Sequence, residues 1–282
     1  MTNDTLPLTD IEPIDNEEES RPVFTFGGKP LTRGREKKPL KLFIYGHNGI
    51  GKTTFASQMD SPVLLDLEDN ASHLRVDRQL LTNYRDVQSF LLALKTEEHS
   101  FKTVILDSVD VLEDLMTQDI LTRSGKTDLS KVGAYGEGYK QQVAAFANII
   151  KRMDALFQRG MNVVFLGHET ISRVEEPGEK VYDRVTPAIR EANYRQLCNW
   201  CFAVFYATSA VNRGAVEDTG FNQKRTGNVH RTSDRIFYTT PSAAHLAKNV
   251  FELSSPIPLD YPAFEKAIEN FYHPSTEKEE NE

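Results

Sequence analysis

Gly46, Gly51, Lys52 and Thr53 occupy the fixed positions of G-x-x-x-x-G-K-[ST], with His47, Asn48, Gly49 and Ile50 between them. Each residue type has a chemical reason at that spacing. Glycines let the backbone curl until successive N–H groups converge on a phosphate. Lysine adds a mobile positive charge at the β/γ position, and the Thr53 hydroxyl suits Mg²⁺. A helix opening at Thr53 and Thr54 would point its positive end at the same anion. The expected occupant of residues 46–54 is a nucleoside triphosphate.

Asp107 closes an apolar run of Val104, Ile105 and Leu106 and is followed by Ser108. A carboxylate at a strand tip is placed to hold Mg²⁺ beside Thr53, directly or through water. Capping the next helix is its plainer alternative. Hydrolysis also needs a group that orients or deprotonates water. Glu68 follows the apolar run 62–67 and is the favoured base, with Asp66, Asp69 and Glu169 as competitors and a solvated turn as the ordinary reading. His168, at the end of another apolar run, either reads the γ-phosphate for the loop that follows or is a structural histidine. Cys198 and Cys201 form a lone C-x-x-C without a second ligand pair, so two buried thiols are expected there.

The elements that must position these groups alternate in type. Apolar runs at 40–45, 62–67, 102–107 and 161–167 read as strands, and 85–95, 109–121 and 139–159 carry helical spacing. Such alternation predicts a mainly parallel sheet sandwiched by helices, with ligands at the carboxyl ends of the strands. Further on, 200–208, 235–239 and 243–251 read as strands and 261–272 as a closing helix. Connections at 123–138, 169–193 and 213–234 exceed the usual length, which points to function or disorder. Two of them mix cations with aromatics. The first holds Arg123, Lys126, Lys131, Tyr135 and Tyr139, and the second Arg173, Lys180, Tyr182, Arg184 and Arg190. Single-stranded nucleic acid needs that mixture, charge for phosphates and flat faces for bases, although solvated loops share it.

Charge is partitioned along the chain. Of the net −8, residues 1–20 carry −7 and residues 273–282 carry −3, which leaves a core of +2. Two acidic, disordered tails are expected, either as solubilising segments or as competitors of a polyanion for the core. The basic run Lys29, Arg33, Arg35, Lys37 and Lys38 reads as a linker or a phosphate contact. The Phe24-Thr25-Phe26-Gly27 patch before it either packs on its own core or adds as a strand to a neighbouring subunit. The absence of a long apolar run or signal pattern, together with the thiols, predicts a cytoplasmic protein with no membrane partner.

The ordered set YGHNGIGKTT, VLLDLED, TVILDSVD, YGEGY, MNVVFLGHE, a basic loop and AHLAKN resembles the RecA-like recombinase ATPases over residues 40–257. Within that group it is similar to phage-encoded nucleotide-binding proteins that act in single-strand annealing. The resemblance implies a RecA-like P-loop core at 40–272 with a C-terminal antiparallel extension. An acidic tail (1–22), a basic linker carrying the oligomerisation patch (23–39) and a second acidic tail (273–282) flank that core. It implies ATP and Mg²⁺ as ligands, with Lys52 and Thr53 on phosphate and metal, Asp107 at the metal and Glu68 as catalytic glutamate. His168 takes the place of the residue that couples nucleotide to DNA, and 123–138 and 169–193 that of the DNA loops. The implied partners are single-stranded DNA, further copies of the chain in a ring or filament, and a host or phage single-strand-binding protein, in a bacterial cytoplasm. A late Lys-Asn-Lys of RecA reaches the neighbouring nucleotide. Lys248-Asn249-Val250 keeps only its first lysine, so Lys248 is a nucleotide contact with in-trans action in question. Asp107-Ser108 also departs from the Asp-Glu pair of helicases and AAA-type ATPases. The rival class is a nucleotide-gated regulatory protein with little turnover.

Overall fold

A computed structural model describes residues 25–31, 34–175, 180–213 and 229–274. The chain divides into two units, Met1–Glu36 and Lys37–Glu282. In the first, β1 (Thr25–Phe26) and β2 (Lys29–Pro30) pair antiparallel about Gly27 and Gly28, whose φ values of 60° and 77° make the tight turn. Val23, Phe24, Arg33 and the acidic tail at 1–22 lie outside the described residues, as does 275–282 of the second tail.

The second unit is built on a nine-stranded sheet. β3 (Lys41–Gly46), β4 (Pro62–Asp66), β5 (Asp77–Leu80), β6 (Thr103–Asp107), β7 (Asn162–Gly167) and β10 (Ala203–Arg213) run parallel in the order β10-β3-β7-β6-β4-β5. β11 (Val229–Tyr238), β12 (Lys248–Asn249) and β13 (Ile257–Pro258) add antiparallel beyond β10. The sheet is therefore mixed, mostly parallel with an antiparallel C-terminal extension, as expected.

Burial on both faces explains the uninterrupted apolar runs. Phe43, Tyr45, Val104, Leu106, Val163 and Phe165 point to one layer, with α2 (Tyr84–Thr96), α3 (Val109–Ser124), α4 (Glu137–Phe157) and α5 (Glu191–Trp200). Leu42, Ile44, Ile105, Val164 and Leu166 point to the other, against Phe55 of α1 (Lys52–Ala56) and Phe264 and Ile268 of α6 (Tyr261–Tyr272). In-register pairing of Asp66 with Asp107, and of Tyr45 with Gly167, brings the tips of β3, β4, β6 and β7 to one edge.

Several boundaries differ from expectation. Residues 123–138 are not one loop. α3 continues through Arg123 to Ser124, Gly125 caps it at φ 62°, and Leu129–Lys131 form a 3-10 turn whose Leu129 and Val132 pack on Ile120. Residues 169–193 hold an antiparallel hairpin, β8 (Glu169–Val174) with β9 (Tyr182–Pro187), followed by the start of α5. The hairpin is a separate two-stranded sheet, so it lacks the apolar alternation that would reveal it. Trp200 ends a helix rather than opening a strand, because polar Asn193 takes a buried position one turn before Leu197 and hides the helical stripe. β5 was not anticipated, since all four of its residues are exposed. The 243–251 strand shrinks to two residues, and of 213–234 Arg213 ends β10 and 229–234 belong to β11, with 214–228 outside the described residues.

Candidate functional site

The loop after β3 begins where two backbones nearly touch. A Cβ on Gly46 would stand 2.1 Å from the Ala207 carbonyl oxygen of β10, so only glycine fits. Gly49 and Gly51 have φ of 74° and 106°, the left-handed region that glycine supplies without strain. Ile50 anchors the loop in the core at 2 % exposure. α1 is only five residues long, so the loop amides, rather than the helix dipole, carry most of the anion field. His47 Nδ1 is 2.9 Å from the Asn48 carbonyl, and Thr54 is exposed in α1.

Lys52 folds back over the loop. Its Nζ donates to the Gly46 and His47 carbonyls at 2.9 and 3.0 Å. Burial lowers its pKa, against the opposing pull of Asp107 and Glu68. Thr53 Oγ1 donates to Asp107 Oδ2 at 2.6 Å. Burial drives the Asp107 carboxyl up to about 6, more than the Thr53 bond brings it down. A buried carboxylate short of positive charge, beside a threonine hydroxyl, is a donor set that fits a hard divalent cation. These residues would hold Mg²⁺.

The carboxylates after β4 divide their tasks. Asp66 is fully buried and accepts from Arg78 of β5 at 2.9 Å and from the Glu68 amide at 3.2 Å. Asp69 takes φ 54° and lies 3.6 Å from the same Arg78. Both shape the turn, and Glu68 is the one that enters the cavity. Glu68 accepts from the Ser108 hydroxyl through Oε1 and from Asn70 Nδ2 at 2.6 Å through Oε2. Glu169 starts β8 and is not among the cavity's lining residues.

His168 is clamped rather than free. Asp110 Oδ2 lies 2.7 Å from its Nδ1, Asp110 Oδ1 accepts its backbone N–H at 3.1 Å, and Glu68 Oε1 stands 3.6 Å away. The Asp110 bond raises the His168 pKa above its ordinary value, more than burial lowers it. For Asp110, burial is the largest single influence and acts upward, but the combined His168 contacts win and the pKa falls.

The resulting cavity has a volume of about 410 Å³ and is lined by Asn48, Gly49, Gly51, Lys52, Thr53, Thr54, Glu68, Asp107 and His168. Asn70, His73, Leu74 and Arg235 complete it. Sequence reasoning missed those four, and Ser108 and Asp110 as contacts of Glu68 and His168. Their closeness to Glu68 or Asp107 in the chain was a usable signal for all but Arg235.

Lys248 is not brought to this cavity. Its Nζ donates to the carbonyls of Cys198, Asn199 and Cys201 at 3.0, 3.1 and 2.6 Å, a cation capping the C-terminus of α5. Cys198 is half-buried on that helix and Cys201 fully buried after it. Burial pushes both thiols up, Cys198 to about 11.

The basic and aromatic residues fall into two groups. Arg123 pairs with Asp119 at 2.8 Å, Lys131 Nζ reaches Thr127 at 3.4 Å, Lys126 is exposed and Tyr135 is 95 % exposed. Tyr139, on α4 rather than in a loop, meets Arg190, whose guanidinium carbon is 4.2 Å from the ring centroid. That contact joins the two expected DNA segments above a groove of about 1000 Å³ between α4 and α5. On the hairpin, Arg184 stacks on Tyr182 at 5.2 Å, Arg173 faces Asp183 across the strands, and Lys180 is exposed. The hairpin base is closed by the Ala188 amide donating to the His168 carbonyl at 2.8 Å.

A glycine loop ending in Lys52 and Thr53, a Thr–Asp hydrogen bond and an inward glutamate at the carboxyl edge of a mostly parallel sheet fit a P-loop NTPase. The chain belongs to the family described as AAA domain (AAA_24), whose model matches residues 38–251. The sequence reading had set AAA-type ATPases aside because Ser108 follows Asp107. In the structure Ser108 is not without an acidic neighbour, since its hydroxyl donates to Glu68, which follows β4. No curated protein matches the chain. Among solved structures, it is similar to the crystal structure of a KaiC-like protein, PH0186, from the hyperthermophilic archaeon Pyrococcus horikoshii OT3. The identity is 13%, with 71% of this chain and 78% of that one covered at a TM-score of 0.37. Among the described residues, no helix is long and apolar enough to cross a membrane.

Proposed function

We propose that the protein binds Mg·ATP in this cavity, hydrolyses it, and uses the nucleotide state to control its hold on single-stranded DNA, in annealing or recombination of phage DNA. The observation that carries the nucleotide reading is the convergence of Lys52, Thr53, Asp107 and Glu68 on one 410 Å³ cavity. Lys52 exchanges its two carbonyl acceptors for β/γ-phosphate oxygens. Thr53 and Asp107 hold the metal, which supplies charge neutralisation at the phosphates when bound. Glu68 orients a water for in-line attack on the γ-phosphorus and takes its proton while the bond to the β-bridging oxygen breaks.

Coupling to DNA rests on chain connectivity. His168 faces Glu68 on one side and opens the β8–β9 hairpin on the other, so a shift at the glutamate passes into the segment bearing Arg173, Lys180 and Arg184. Further copies of the chain would place the capping Lys248 or the Phe24 patch at a subunit boundary, in a ring or filament.

One observation favours a second reading, a nucleotide-gated regulatory protein with little turnover. Both Glu68 oxygens already have partners, Ser108 and Asn70, which holds the base away from water. ATP turnover measured with and without single-stranded DNA separates the two. Turnover stimulated by DNA and reduced about 100-fold or more by Glu68→Gln supports the first. Tight ATP binding with negligible turnover in both states supports the second.

A further inference from the structure

Among the described residues, Arg235 is the one cavity residue that comes from the antiparallel extension, and nothing near it in the sequence marks it out. It projects from β11, and its Nη1 donates to the Ile50 carbonyl at 3.2 Å. One guanidinium nitrogen lies close against the phosphate loop, since a Cβ on Gly51 would stand 2.7 Å from Nη1. The Leu259 side chain closes the same corner, and its amide donates to the Arg235 carbonyl at 2.9 Å, which ties the arginine's backbone to the segment leading into α6. Among the described residues, the Ile50 carbonyl is the only partner of the Arg235 side chain. Arg235 lines the cavity, and among the described residues four of its five N–H donors are not taken by the Ile50 bond.

Sheet order decides which end of a nucleotide this cation meets. β7, β6 and β4 lie on one side of β3 and bring His168, Asp107 and Glu68, the groups around the bond to be broken. β10 and β11 lie on the other side and bring Arg235. The loop amides around Gly49 and Gly51 are the part of such a motif that cradles the α- and β-phosphates. A magnesium-bound triphosphate also keeps negative charge that Lys52 alone does not balance. A planar guanidinium suits the remaining oxygens better than a point charge does.

We propose that Arg235 holds the non-transferred α- and β-phosphates of the nucleotide, from within the same chain, so that affinity for ADP and ATP alike depends on it. This rests on the reading that the cavity takes a nucleotide, and it adds a cation on the flank opposite the hydrolysed bond. Arg235 exchanges its part-buried bond to the Ile50 carbonyl for phosphate oxygens when the loop is loaded.

The test is calorimetric titration of ADP and Mg·ATP into the full chain, as wild type, Arg235→Gln and Arg235→Lys. Glutamine carries no charge and is two bonds shorter, so it also loses the Ile50 bond, and the melting temperature of the nucleotide-free chain reads that lost bracing separately from the lost phosphate contact. Arg235→Gln is expected to weaken ADP and ATP by similar factors, roughly 10- to 100-fold, the loss of one charge-assisted phosphate contact. Arg235→Lys should fall between, and in turnover the loss should fall on KM more than on kcat. Unchanged ADP affinity in Arg235→Gln, or a loss confined to ATP, overturns the proposal while leaving the nucleotide site standing. Failure of the wild-type chain to bind either nucleotide overturns both. Should Arg235→Gln not fold, as judged by its melting curve, Arg235→Lys decides alone, with wild-type ADP affinity counting against the proposal.

Discussion

Thr53 and Asp107, on the first turn of α1 and the tip of β6, are joined by a 2.6 Å hydrogen bond between hydroxyl and carboxylate. That bond links the helix after the phosphate loop to the strand that ends in Asp107. Without a cation it satisfies the hydroxyl but leaves a buried carboxylate whose pKa stands at about 6 against an ordinary 3.8.

The buried carboxylate is a source of instability that a bound divalent cation would relieve. An acid with a raised folded pKa contributes stability at low pH and loses it as pH rises through the folded value. The metal-free protein should therefore lose melting temperature between pH 4 and pH 6, a window set by the ordinary and folded Asp107 values of 3.8 and about 6. Asp107→Asn should melt higher than wild type at pH 8 without metal, yet gain no stability from Mg·ATP. Thermal melts across pH, with and without Mg·ATP, check both halves.

His168 and Asp110 form a titrating pair with opposite shifts. The histidine pKa is raised from 6.5, so its contribution to stability is present at low pH and disappears as pH climbs through the folded value. The aspartate pKa is lowered from 3.8, so its contribution is present above that value and disappears as pH falls through the folded one. The pair should be most stabilising between the two. Proton NMR of the His168 ring should show titration above 6.5 in wild type and a lower value in Asp110→Asn. An unchanged midpoint would rule out the salt link.

Gly46→Ala should damage the fold before it touches chemistry. A Cβ there meets the Ala207 carbonyl oxygen at 2.1 Å, and the contact is backbone against backbone, so β3 and β10 would have to part. A cost of about 2–3 kcal/mol follows from overpacking of this kind. Urea denaturation should show a lower midpoint, whereas Gly49→Ala, with open space at its Cβ, should suffer only from its φ of 74°.

Arg190 and Tyr139 should act together in binding single-stranded DNA. Tyr139→Ala removes a stacking face, and a loss of about 1–3 kcal/mol is expected. Arg190→Ala removes the cation and leaves the Tyr139 ring without its guanidinium neighbour, and should also make the log–log salt dependence shallower by about 0.7 per lost phosphate contact. Fluorescence anisotropy of a labelled oligonucleotide across a salt series measures both. Equal salt slopes for wild type and Arg190→Ala would remove this arginine from the interface.

The residues that were legible without the structure were those whose function depends on neighbours in the chain. The phosphate loop is contiguous, so residues 46–54 reveal themselves by spacing alone. Asp107, Glu68 and His168 stand at the ends of apolar runs, where strand tips in a parallel sheet must come out on one edge. The parallel core and α6 were readable for the same reason, since strong apolar periodicity is a local signal. Only the tertiary structure distinguished the surroundings of Asp66, Glu68 and Asp69, because Arg78 of an exposed and unanticipated strand pairs with Asp66 and Asp69 while Glu68 lines the cavity. It moved Lys248 from a supposed nucleotide contact to the end of α5, and made the loop at 169–193 a hairpin anchored at His168. It also brought Arg235 against Ile50 across 185 positions of sequence. Spacing encodes contacts within one turn or strand. Contacts across the sheet depend on strand order and register, which no local pattern in this chain records.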